Sequence, residues 1–145
     1  PDIRAAGVIS VMSNILPGPI QRLTELLNDG NTEEADQLAA AMAPIFGCVG
    51  VTTEEETPYG SVECKARNPL AVKSLMNILG MPSGPTRRPL GKMTRKGIDV
   101  ALNAARKAHS NDPTLLAPIG AFFGVDIDAR LADKRLLDAL VYDAY

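Results

Sequence analysis

The side chains in this sequence that could do covalent or acid–base chemistry are few. They are six lysines, one histidine, two cysteines and two clusters of like charge. A lysine attacks a carbonyl only as the neutral amine, so burial or a neighbouring cation must lower its pKa. The candidates are Lys65, Lys73, Lys92, Lys96, Lys107 and Lys134, of which Lys73 lies in an apolar helical run, Leu70-Ala71-Val72-Lys73-Ser74-Leu75. His109 falls in the last turn of a predicted helix, where the dipole favours positive charge. A general base needs a partner and the sequence shows none, so a structural histidine is the simpler reading.

The acidic run Glu54-Glu55-Glu56 could hold a hard cation, but no His or Asp lies near to complete the site. A solvated loop tip is expected, and no metal. Arg87, Arg88, Lys92, Arg95 and Lys96 surround a Pro-rich stretch. They could grip a phosphate, but a solvated surface is the simpler reading, with Arg88 anchoring the connector. Cys48 and Cys64 match no zinc or redox spacing, which points to reduced structural thiols.

Composition narrows the classes further. With 145 residues the chain can build one domain with a real core. It is 46% hydrophobic and 22% charged, with a net charge of −2, which argues against nucleic acid or an anionic membrane as partner. No Trp is present and aromatics make up 4%, so base-stacking platforms are not expected. No apolar run reaches the ~18 residues needed to cross a bilayer, and Pro1-Asp2-Ile3-Arg4 lacks signal-peptide character.

The elements that must position these residues begin with Gly7-Val8-Ile9-Ser10-Val11-Met12-Ser13-Asn14. Its nearly unbroken apolar character predicts a parallel strand covered on both faces. Such a strand needs neighbours on both edges, so either a partner supplies them or the chain is the C-terminal part of a longer protein. The absence of an initiator Met favours the second. Pro19 then opens a helix through Ile20, Leu23 and Leu27, which Asn28-Asp29-Gly30 stops.

Asn31 with Glu34 predicts a capped helix whose buried stripe is Ala35, Leu38, Ala39, Met42, Ile45 and Phe46, with Pro44 ending or kinking it. Residues 49–53 and 61–65 can form a short hairpin. Asn68-Pro69 opens a helix with Val72, Leu75, Met76 and Leu79 inward and Gly80 past its end. A Pro-rich connector runs from Met81 to Met93. A helix over 94–108 turns Ile98, Ala101, Ala105 and Ala108 inward. A further helix starts at Thr114, Gly124 breaks it, and a final helix runs over 129–142.

Several of these segments together resemble the C-terminal portion of the dihydrodipicolinate synthase and N-acetylneuraminate lyase family of pyruvate-dependent class I aldolases. Gly7-Val8-Ile9-Ser10-Val11 resembles the family's eighth barrel strand, with Ser13-Asn14 at its end. Asn68-Pro69-Leu70-Ala71-Val72-Lys73 resembles its Asn-Pro-x-x-Val-Lys helix start. Leu79-Gly80-Met81 followed by Arg88-Pro89-Leu90 resembles its next motif, and the order agrees. The likeness covers residues 5–108. The loop at 50–67 is longer than the family's, and residues 109–145 extend beyond its usual end.

The resemblance implies an α/β fold: the last strand and helix of a (β/α)8 TIM barrel, then a helical subdomain, so that this chain itself is mostly α. Its expected parts are a final βα unit (1–30), a helical subdomain (31–110) and a helical extension (111–145). The implied reaction is Schiff-base condensation of pyruvate with aspartate semialdehyde in lysine biosynthesis, without a cofactor. The catalytic Lys and the proton-relay Tyr are expected in an N-terminal half of the barrel, and none in this chain. Lys73 matches a family lysine that is not the nucleophile. Ile9 matches the residue that lines the pyruvate site through its backbone, although plain barrel core is the simpler reading of an apolar residue there. A cytoplasmic homo-oligomer is implied too. Two other readings fit the same residues: another pyruvate-dependent lyase of this family, or a non-catalytic helical interaction module.

Overall fold

The computed structural model describes residues 6–142. The outer ends of the first and last expected segments, 1–5 and 143–145, lie outside the described residues. Among the described residues the chain is mostly helical. The helices are α1 (Pro17–Asn28), α2 (Thr32–Phe46), α3 (Leu70–Ile78), α4 (Arg95–Asn111), α5 (Ala117–Phe123), α6 (Ile127–Ala132) and α7 (Arg135–Asp138). Strands β1 (Val51–Thr57) and β2 (Gly60–Ala66) form an antiparallel hairpin between α2 and α3, with Thr53 opposite Cys64 and Glu54 opposite Glu63.

The strand expected over Gly7–Asn14 does not form. Residues 6–10 have no regular secondary structure, and Val11–Asn14 make a 3-10 turn. Ser10 caps that turn, its hydroxyl accepting from the Met12 N–H at 3.2 Å. The physical reason is the one the sequence raises: a parallel strand needs ladder partners on both edges, and the sheet of the described residues consists of β1 and β2 alone. Val8 and Ile9 are left exposed, whereas Met12, Ile15 and Leu16 are buried in the core.

Helix positions follow the apolar spacing. Along α4 the predicted inward residues Ile98, Ala101, Ala105 and Ala108 are all fully buried, and Thr94 caps the helix by accepting from the Gly97 N–H at 2.9 Å. In α3 the buried face is Ala71, Val72, Leu75 and Ile78. In α2 Ala35, Met42 and Ile45 are buried, but Ala39 and Phe46 are exposed. Pro44 stays within α2, which ends two residues later. Asn31 makes no capping bond there. Glu34 instead pairs with Arg22 of α1 at 3.2 Å.

The long final helix is a second correction. It is interrupted at Asp133, whose carboxylate accepts from the Arg135 N–H at 2.9 Å and starts α7 afresh. After α7 the chain turns inward, and Val141 forms a parallel bridge with Met93 through Met93 N–H to Leu140 C=O (3.2 Å) and Tyr142 N–H to Met93 C=O (3.3 Å). One core cluster runs from Met12 to Val141, so α5 to α7 share it with the helices before them.

Candidate functional site

Ile9, the residue matched to a substrate-lining position, is fully exposed in a segment without regular structure. That segment is held at its start, where Asn28 at the end of α1 donates to the Ala6 carbonyl at 3.5 Å. The run therefore passes beside the C-terminal end of α1 and reaches its N-terminal end at Asn14.

Lys73 lies on α3 beside a cleft of about 230 Å³ that the connector closes. Its Nζ donates to the Pro85 carbonyl at 2.8 Å. Its own carbonyl accepts from Ser83 Oγ at 2.8 Å and from Asn77 Nδ2 at 3.1 Å. Lys73 thus ties the 81–93 connector to α3. Arg88 does not do so: it is exposed and makes no hydrogen bond among the described residues. An arginine flanked by turn residues on an exposed loop has nothing within reach to hold.

The acidic run is not a loop tip. Glu54 to Glu56 lie on β1, and strand alternation turns Glu55 inward while its neighbours stay exposed. Glu55 accepts from Thr53 Oγ1 at 2.9 Å and lies 3.9 Å from Lys96 Nζ. Lys96 also donates to the Glu54 carbonyl, and Arg95 pairs with Asp138 at 2.7 Å. Two members of the basic cluster are therefore committed to packing α4 against the hairpin and α7.

His109 has a partner that spacing does not reveal. Its Nε2 lies 3.1 Å from Asp128 Oδ1 on α6, while Nδ1 is buried without a partner. The pair borders an open cleft of about 600 Å³ with Arg106, which donates to the Leu131 carbonyl at 2.6 Å and 3.0 Å. No hydroxyl or thiol is hydrogen-bonded to His109 among the described residues. The arrangement ties α4 to α6.

Arg130 likewise has no local signal in the sequence. Its Nε donates to the Ile78 carbonyl at 2.6 Å and its Nη2 to the Asn77 carbonyl at 2.7 Å, capping the C-terminus of α3. Cys48 and Cys64 are both free, and burial pushes the Cys48 thiol up to about 11. Among the described residues no group of three His, Cys, Asp or Glu could hold a metal ion, and no helix is long and apolar enough to cross a membrane. The polar clusters of this chain hold elements together.

A model of the dihydrodipicolinate synthetase family matches residues 2–107. The chain belongs to that family. It is 30% identical over 105 residues to the 4-hydroxy-tetrahydrodipicolinate synthase of Methanococcoides burtonii, covering 72% of this chain and 31% of that enzyme. It is 33% identical over 87 residues to the enzyme of the same name from Methanococcus maripaludis, covering 60% and 25%. With that of Acetivibrio thermocellus it shares 31% over 94 residues, covering 65% and 27%. The chain thus spans between a quarter and a third of these relatives, and the match is to their C-terminal portion. No solved structure matches. Helices α5 to α7 lie beyond the family match.

Proposed function

We propose that this chain is the C-terminal portion of a class I lyase that condenses pyruvate with aspartate semialdehyde. The observation that carries the reading is the family match over residues 2–107, with relatives named 4-hydroxy-tetrahydrodipicolinate synthase. In this reading residues 7–14 are the last barrel strand and 1–30 the last βα unit. Residues 31–110 are the helical subdomain and 111–145 a C-terminal helical extension. The exposure of the apolar Val8 and Ile9, and the Asn28 contact that holds Ala6 at the end of α1, support it.

The complete enzyme forms an imine between a barrel lysine and the pyruvate keto group, with loss of water. Loss of a methyl proton gives the enamine, which attacks the aldehyde carbon. Ile9 lines the pyruvate site through its backbone, at the C-terminal end of the barrel where such sites lie. The nucleophile and the proton-relay tyrosine belong to the other barrel strands. In this chain Lys73 is engaged with the connector, which suits a structural role.

The test is intact-mass analysis after borohydride reduction with pyruvate. It is done on this chain alone and on the chain co-produced with the N-terminal barrel portion of the Methanococcoides enzyme. The reading expects a reduced pyruvate adduct on the barrel portion of the complex and none on Lys65, Lys73, Lys92, Lys96, Lys107 or Lys134. An adduct on one of these six lysines, or a folded complex with no adduct, overturns it.

A further inference from the structure

We infer that the outer edge of β2 is a docking surface for a second copy of this chain, paired antiparallel about a two-fold axis at Cys64. The inference concerns the hairpin alone and stands apart from the proposed reaction.

The hairpin has two edges, and α4 treats them differently. Lys96 donates to the Glu54 carbonyl, so that carbonyl points away from β2. With the register Glu54 opposite Glu63, backbone groups that alternate along the ladder then put the N–H and C=O of Glu63 and Lys65 on the free side of β2. Among the described residues none of these groups has a hydrogen-bond partner in the rest of the chain. On the outer edge of β1 the Glu54 carbonyl is engaged by Lys96, whereas the edge of β2 has no such contact among the described residues and offers a template for another strand.

Charge selects the occupant and the register. β2 reads Gly60-Ser61-Val62-Glu63-Cys64-Lys65-Ala66. Antiparallel pairing with a second β2 about Cys64 sets Glu63 opposite the partner's Lys65, and Lys65 opposite the partner's Glu63. It also sets Val62, which is 47% exposed, opposite the partner's Ala66. Centring the axis on Glu63 or Lys65 would set like charges against each other, which is unfavourable. The same pairing relieves a conflict inside the hairpin. Glu63 already faces Glu54 across the ladder, and among the described residues it pairs with Lys65 of its own strand at 2.7 Å. A partner lysine adds a second.

The backbone pattern makes Cys64 a non-hydrogen-bonded pair with its own copy, where Cα atoms lie about 4.5 Å apart. That is within the ~4.4–6.8 Å span of a disulfide. Cys64 is half-buried and free, so it reports the pairing directly.

The test is the mass of the 145-residue chain by analytical ultracentrifugation, with diamide oxidation as a second readout. Diamide takes two electrons and two protons from the two thiols. A concentration-dependent dimer of twice 15.4 kDa is expected, with a disulfide between two Cys64 residues. Glu63→Lys alone and Lys65→Glu alone should each weaken self-association at least about tenfold, since two cross-strand pairs change from attractive to repulsive. Mixing these two variants should restore dimers, because the two lysines of one variant strand then face the two glutamates of the other. A monomer at every concentration with no Cys64 cross-link overturns the inference. So does a dimer indifferent to both charge reversals, which would place the contact elsewhere.

Discussion

Arg130 joins the part of the chain outside the family match to the part within it, and its removal has a calculable cost. The guanidinium donates at 2.6 Å and 2.7 Å to the last carbonyls of α3, where a cation also meets the negative end of the helix dipole. A hydrogen bond from a charged donor contributes roughly 1.5–3 kcal/mol, and a half-buried one sits at or below the lower end. Two such bonds give about 2–3 kcal/mol. Arg130→Met keeps the apolar stem, which packs over Gly80, and removes the donors. At roughly 3 °C per kcal/mol for a domain of this size, its melting midpoint should fall by about 6–9 °C.

With no Trp in the chain, far-UV circular dichroism during urea and thermal unfolding is the suitable readout. The urea m-value should stay unchanged. Arg135→Ala is the control: Arg135 is an exposed residue whose partner Asp133 lies two positions away, and the midpoint should not move measurably. A loss below about 0.5 kcal/mol in Arg130→Met would refute the claim that Arg130 caps α3.

Further consequences follow from other contacts. Burial raises the Cys48 thiol to about 11, so the unfolded chain ionises there before the folded one. Stability from this group is complete below about pH 9 and should be lost as pH rises toward 11, measurable by denaturation in Cys48→Ala against the parent. At pH 8 a thiol reagent should modify Cys64 and spare Cys48 until the chain unfolds. A Cβ on Gly91 would collide with the Tyr142 hydroxyl at a φ of +60°, so Gly91→Ala should destabilise by about 1–3 kcal/mol, with partial recovery in the Tyr142→Phe background. Lys96→Met leaves Glu55 buried without its cation and should cost about 1–2 kcal/mol. The cost should shrink when Glu55→Gln is present, as a double-mutant cycle would show.

What is legible in the sequence is local. Inward positions of α4, the stop after α1 and the start of α3 follow from spacing and turn residues a few positions apart. The break at Asp133 is hidden because an aspartate side chain competing for a backbone N–H leaves the apolar pattern intact. Three adjacent carboxylates look solvated, which is why Glu55 reads as part of a loop tip. Its inward turn depends on a strand register and on Lys96, far later in the chain. His109 with Asp128, and Arg130 with α3, are tertiary contacts without a local signal. Residues 7–14 show the opposite case: the apolar run reads as a strand, but among the described residues it has no ladder partner and does not form one.

The most direct test of the barrel reading is hydrogen–deuterium exchange of the amides of residues 7–14. In this chain alone the amides of residues 7–10 should exchange freely, since they lie in no ladder or helix. In complex with the N-terminal barrel portion of the Methanococcoides enzyme they should become protected alongside α1, as residues of a paired strand. Free exchange in a stable complex would contradict the account, because a chain bound there without forming the last strand does not close a barrel.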